Sequence, residues 1–213
     1  MAGILKVDQV QSDSNLAFAI AGSNVAFMNA TSLQMVGSNV SLAGTNVITN
    51  GKVVASGMPV GAVLQVVQAF KSDTFSTTST SFTDITGLSV SITPTSATSK
   101  ILVKLVLSIS GTNTSGSTYR ITRGGSAIGI ADAASNRNRG SGAELYNTRN
   151  DTNYNYGAEY LDSPSSTSSL TYAAQAIVGS GTGTVYVNRS SSDTDSGSYV
   201  RGVSSITVME IAA

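Results

Sequence analysis

Residues 100–110 read KILVKLVLSIS. Ile101, Val103, Leu105, Leu107 and Ile109 occupy every second position, the spacing that turns one face of an extended strand towards a core. Leu102 and Val106 place apolar side chains on the opposite face, so a central strand, dry on both sides, is expected here. The surrounding composition agrees with strands. Hydrophobic residues make up 40% of the 213-residue chain but charged residues only 11%, with 21 Gly, 3 Pro and many Ser and Thr. That mix belongs to β-structure with tight turns and is short of helix formers.

The same alternation recurs on either side. Residues 61–70, GAVLQVVQAF, set Ala62, Leu64 and Val66 on one face and Val63 and Val67 on the other, which predicts a strand buried on nearly both sides. Residues 82–92, FTDITGLSVSI, read as two short strands around Thr86-Gly87, and residues 93–96, TPTS, turn the chain. TYRITR (118–123) and SAIGI (126–130) flank Gly124-Gly125, a pair suited to a two-residue hairpin turn. Residues 170–178, 183–189 and 202–211 alternate again, and the last is expected inside the core. Residues 72–81 and 131–169 are polar and irregular, apart from 153–160, which could hold a strand. About eight to ten strands, with turn signals roughly every 8 to 14 residues, predict an antiparallel jelly-roll-like β-sandwich over residues 59–213.

Residues 14–58 have a different texture. Residues 14–57 run SNLAFAIAGSNVAFMNATSLQMVGSNVSLAGTNVITNGKVVASG. Asn followed by Leu or Val opens a new piece at Asn15, Asn24, Asn39 and Asn46, and within the pieces large apolar residues alternate: Leu16, Phe18 and Ile20, then Val25 and Phe27, Leu33 and Met35, Val40 and Leu42. Such pieces are too short to fold alone, because ordering their backbone costs more than burying their few large side chains returns. Their open edges are also a pairing hazard in a lone chain. Several copies of the chain, each forming one wall of a shared core, resolve both difficulties. The expectation is an interwoven trimeric β-shaft. A disordered linker and a monomeric sandwich running through the whole chain are the alternatives; regularly spaced Phe, Met and Leu count against the linker. Gly57-Met58-Pro59 marks the exit from the shaft. Residues 1–13 form a short lead in which Ile4, Leu5, Val7 and Val10 are apolar enough to dock on a partner; a frayed terminus is the alternative.

Composition also limits function. Net charge is zero, so there is no electrostatic case for nucleic acid or an anionic membrane. Cysteine and histidine are both absent, which removes disulfides, thiolate metal sites and every Ser-His-Asp arrangement. No signal peptide is expected, since Asp8 and Asp13 interrupt the apolar start, and no run reaches the ~20 apolar residues of a membrane helix. No cofactor, metal or enzymatic activity is expected. Asp193 and Asp195, in SSSDTDSGS (190–198), are too few carboxylates for a calcium loop, and a solvated turn is the simpler reading. GGSAIG (124–129) and GSGTG (179–183) lack the Lys-Ser/Thr and the helix of a phosphate loop. Glu144, Glu159, Asp162 and Glu210 are the carboxylates from which a glycosidase pair could be drawn, and nothing in their spacing brings two together.

One region has recognition character. Residues 136–160 gather Arg137, Arg139, Tyr146, Arg149, Asn150, Asp151, Tyr154, Tyr156 and Tyr160, including half of the eight tyrosines. Tyr and Arg supply rigid amphipathic area and forked donors, the usual material of binding hot spots. Aromatic faces with polar edges also suit sugars. The receptor-binding candidates are therefore Arg137, Arg139, Tyr146, Arg149, Tyr154, Tyr156 and Tyr160, directed at a surface glycan or protein. Contacts between subunits, or a solvated loop, would account for the same residues.

MAGILKVDQVQSDSNLAFAIAG, at the start of the chain, resembles the N-terminal segments of bacteriophage fibre proteins, those of marine and cyanobacterial phages in particular. GAVLQVVQAF, FTDITGLSVSITPTSATSKILVKLVLSISG and RGVSSITVMEI resemble the globular heads of the same class. The resemblance covers most of the chain and includes no catalytic motif. It implies a homotrimer in the virion, assembled in the host cytoplasm, with its N-terminus attached to tail or capsid proteins and its head facing the host. On that basis Ile4, Leu5, Lys6 and Val7 are the virion-anchoring candidates. A tail fibre mediating host attachment is the expected role. A head fibre or capsid decoration is the alternative, because a shaft of about 45 residues is short.

Overall fold

The computed structural model describes residues 19–20, 23–24, 39–42, 45–49, 52–53, 55–112, 116–142, 151–179 and 182–213. The lead at 1–13, with Ile4, Leu5, Lys6 and Val7, lies outside the described residues, as do Glu144, Tyr146, Arg149 and Asn150. The chain divides into two units, residues 1–38 and 39–213. In the first, β1 (Ala19–Ile20) pairs antiparallel with β2 (Ser23–Asn24). In the second, β3 (Asn39–Leu42), β4 (Thr45–Thr49) and β5 (Lys52–Val53) form a three-stranded antiparallel sheet, followed by a 3-10 turn at Ala55–Gly57. The alternation between Val40 and Val53 thus corresponds to strands that pair with their sequence neighbours.

The rest of the second unit holds β6 (Val63–Lys71), β7 (Phe75–Thr77), β8 (Thr83–Ile92), β9 (Lys100–Gly111), β10 (Ser117–Arg123), β11 (Ser126–Ile128), β12 (Tyr154–Asp162), β13 (Leu170–Val178), β14 (Val185–Val187) and β15 (Ser204–Ile211). They make two antiparallel sheets, a six-stranded sheet around β9 and a four-stranded sheet in the order β11-β10-β13-β8. β9 is the axis of the larger sheet. β12 runs along residues 101–109 of one edge, and the other edge is shared between β15 and β14. β6 continues outward from β15, and β7 from β14. The inward faces of both sheets share one apolar core. Ile101, Val103, Leu105, Leu107 and Ile109 lie in it with Ile85, Leu88, Tyr119, Ile121, Tyr172, Ile206 and Val208. Burying side chains of this size is the dominant stabilising term, roughly 1.5–3 kcal/mol each. The architecture is all-β, antiparallel and sandwich-like.

Four sequence expectations change. Residues 82–92 form one strand and not two. Gly87 takes a φ of +87°, and the pairing of β8 with β13 slips between Ala173 and Gln175, so the chain bulges without stopping. The polar tract 72–81 contains β7. Among the described residues β6 pairs with β15 alone, and Val63, Val66 and Phe70 are exposed where two-sided burial was expected. β9 is central, but only its inward side is dry: Val106 is exposed and Leu102 half-buried. The Gly124-Gly125 hairpin forms as read, with φ of 55° and 82° at the two glycines.

Polar residues at three points tie distant strands together. Asn188, wholly buried at φ 63°, fills the gap between β6 and β7. Its amide nitrogen donates to the carbonyls of Lys71 and Asp73, both at 2.9 Å. Its amide oxygen accepts from Ser204 Oγ at 2.6 Å. Glu210 is buried under residues 93–99. It accepts from the Thr95 N–H and hydroxyl, both at 2.7 Å, and from Gln65 Nε2 at 2.6 Å. Burial pushes the Glu210 carboxyl up, and hydrogen bonds from Gln65, Ser99 and Thr95 more than offset that, so it sits below its ordinary value. Asp162 receives both of its bonds to Arg123 from Nη1, at 2.7 and 2.8 Å, and a third from Tyr172 Oη at 2.7 Å. Burial, followed by that bond to Asp162, raises the Tyr172 phenol far above its ordinary value.

Candidate recognition site

Hydrogen bonds tie down residues 131–141 of the β11–β12 connection. β11 covers β10 only over residues 121–123, and beyond that point the loop takes over the exposed edge of β10. Ser141 N–H donates to Tyr119 O at 3.0 Å, and Ser141 Oγ accepts from Ile121 N–H at 3.0 Å. The neck of the loop closes where Ala131 N–H meets Gly140 O at 3.2 Å, and Arg139 Nε donates to Ala131 O at 2.6 Å. Arg137 N–H donates to Ala134 O, and Ser135 adopts a φ of 51° to make that tight turn. The loop therefore has defined geometry. It holds Asn136, Arg137 and Asn138 over Thr118, Gly142 and Gly179, and together these line a cleft of about 410 Å³. Small-molecule sites span about 300–1,000 Å³, so this is the lower part of that range. Gly142 is required by close approach, since any side chain there would run into the Tyr119 ring.

Tyr154, Tyr156 and Tyr160 project from the same face of β12. Tyr156 is half-buried, with its ring 6.3 Å from Tyr119 and 6.4 Å from Tyr154, the latter edge-on. Tyr119 is buried and donates to Gly157 O at 3.2 Å. Burial, and secondarily Tyr156, raise its phenol above the ordinary value, so it stays a neutral donor. Because the Tyr119 ring meets Gly142 on the cleft side and Tyr156 on the strand side, it links the cleft to the tyrosine row. Tyr160 lies against Gly129, where an added Cβ would come within 2.7 Å of the ring.

The sequence candidates therefore separate by role. Arg137 lines the cleft. Tyr154 is 42% exposed and does not line the cleft. Tyr156 and Tyr160 are packing residues with partly exposed rings. The guanidinium of Arg139 braces its own loop. Asn136, Asn138 and Thr118 complete the lining. The alternation Asn-Arg-Asn-Arg at 136–139 was a local signal for the two amides, whereas Thr118 and Gly179 arrive from other strands and left no such trace.

The remaining polar clusters serve structure. Asp193, expected in a solvated turn, is held by Arg189 Nη1 at 2.9 Å and by Arg201 Nε at 2.9 Å. Glu159 pairs with Lys104 at 2.9 Å, Asp162 with Arg123, and Glu210 is enclosed by donors. Among the described residues no three acidic side chains converge as metal ligands would. No protein-family model and no curated protein matches this chain.

Proposed function

We propose that the protein is a structural virion fibre, a homotrimeric phage tail fibre whose head contacts the host cell surface. On this reading residues 59–213 are the jelly-roll-like head, 14–58 an interwoven shaft, and 1–13 the attachment to the virion. The observation that carries the recognition role is the cleft over Thr118. Arg137, Asn136, Asn138 and Thr118 line one space, and the exposed Tyr154 belongs to the tyrosine row that Tyr119 joins to it. Arg and the amide nitrogens donate to sugar hydroxyls or a sugar carboxylate, the amide oxygens accept from sugar hydroxyls, and a tyrosine ring offers a face for C–H groups. The loop's own hydrogen bonds hold this arrangement before any ligand arrives, which lowers the entropy lost on binding. The shortness of the shaft region favours a second reading, a head fibre or capsid decoration with no direct receptor role.

Arg137→Ala and Tyr154→Ala test the recognition role. Each is expected to lower particle adsorption to host cells while assembly and thermal stability remain those of the parent. Adsorption unchanged in both variants would count against the receptor role. Labelling the chain and imaging intact particles then separates a tail position from a capsid one.

A further inference from the structure

The two outer faces of the sandwich-like domain differ in character. On the four-stranded sheet the outer face is polar and internally bonded. Arg120 Nε donates to Gln175 Oε1 at 2.8 Å, Gln175 Nε2 donates to Asp84 at 2.8 Å, and Ser91 meets Thr171 at 2.9 Å. On the six-stranded sheet the pairing registers align the outward residues of β6, β15, β9 and β12 into rows. One row is Phe70, Ser205, Val106 and Gly157. The next is Gln68, Thr207, Lys104 and Glu159, and the third is Val66, Met209, Leu102 and Leu161. Phe70, Val106, Val66 and Leu161 are between 46% and 62% exposed. Rows carrying exposed apolar side chains, Phe70 and Val106 in one and Val66 and Leu161 in the other, thus lie on either side of a polar one.

We infer that this face is the surface on which a second copy of the chain packs within the head. The polar row asks nothing of a foreign partner. Gln68 Nε2 already donates to Thr207 Oγ1 at 2.8 Å, and Lys104 is paired with Glu159 at 2.9 Å. A face that is neutral, self-satisfied and apolar above and below is best matched by another like it. Because its pattern is apolar, polar, apolar, copies related by rotation about an axis along the strands meet level with level. Lys104 of one copy then stands at the height of Glu159 of the next. Four strands about 4.8 Å apart, with seven or eight residues at about 3.4 Å, give on the order of 500 Å² of face once side chains are included. In a trimer each such face is divided between two neighbours, so three faces together bury on the order of 1,500 Å² about one axis. This also explains the sequence of β9: Leu102 and Val106 are apolar for a neighbouring copy, since the described residues leave Val106 exposed.

The inference rests on the reading that copies assemble, and the test separates the two. The chain has no cysteine, so Val66→Cys, Leu161→Cys and Ser91→Cys each give a single thiol, the last as a control on the polar outer face. Full-length protein is examined by light scattering and by the rate of reaction with a bulky maleimide. Multimers are expected, with the thiols at 66 and 161 reacting on the order of ten-fold or more slower than the one at 91, because a covered site reacts only through transient opening. In concentrated guanidinium the three rates should converge. Multimers in which all three react alike would overturn this interface and leave assembly through the shaft standing. A monomer with open thiols overturns both readings. A monomer with protected thiols also overturns them, and assigns the cover to another segment of the same chain.

Discussion

Asn188→Ala removes the side chain that bridges the gap between β6 and β7. Three hydrogen bonds go with it, to Lys71 O and Asp73 O and from Ser204 Oγ. At a net 0.5–1.5 kcal/mol each they amount to about 1.5–4.5 kcal/mol. The backbone adds a further contribution. At φ 63° an Ala side chain is strained by roughly 1–2 kcal/mol, a conformation Asn tolerates more readily through its short polar side chain. The expected loss is about 2.5–6.5 kcal/mol, a large share of the 5–15 kcal/mol typical of a domain. Asn188→Gly separates the two contributions, since glycine accepts the conformation but makes none of the bonds; it should be milder than Ala by about 1 kcal/mol. Urea denaturation followed by circular dichroism measures both, at one protein concentration because association shifts apparent stability. A loss below about 1 kcal/mol for Asn188→Ala, or a glycine variant less stable than the alanine one, would refute the reasoning.

Three other perturbations have defined outcomes. The Glu210 carboxyl lies below its ordinary value of 4.5, so its contribution is present above that pH and is lost as pH falls through the lowered value; acid denaturation of the parent should show this limb, and Glu210→Gln should flatten it. The same variant should cost about 1–3 kcal/mol at neutral pH, because an amide cannot accept from all the donors around it. Asp162→Asn should destabilise more than Tyr172→Phe: the first removes the charge that Arg123 pairs with and one of its two acceptor oxygens, the second removes one hydroxyl. Since the Arg123 side chain is about a third exposed, water moderates the first to roughly 2–3 kcal/mol, below the range for a fully buried pair, as thermal or urea unfolding can check. Gly142→Ala should displace residues 140–142 from the Tyr119 ring, raise amide exchange at residues 119–121 and weaken any glycan binding in parallel. Unchanged exchange there would show that the loop does not depend on that close approach.

The local periodicity of the chain determined its β character, the inward residues of β9 and β15, and the Gly124-Gly125 hairpin, because side-chain alternation and turn chemistry act over a few residues. Arg137 and Tyr154 were legible as candidates for the same reason, as conspicuous residue types in an irregular stretch. What joins distant strands left no local mark. Asn188 and Lys71 are 117 positions apart, Thr95 and Glu210 are 115 apart, and both contacts exist only once the sheets are assembled. The cleft is likewise tertiary: Thr118 and Gly179 meet residues 136–138 because β11 is too short to cover β10. Alternation can state that both faces of β9 are apolar. Only the arrangement of sheets decides which of them finds a cover within the same chain, since burial belongs to neighbours in space and not in sequence.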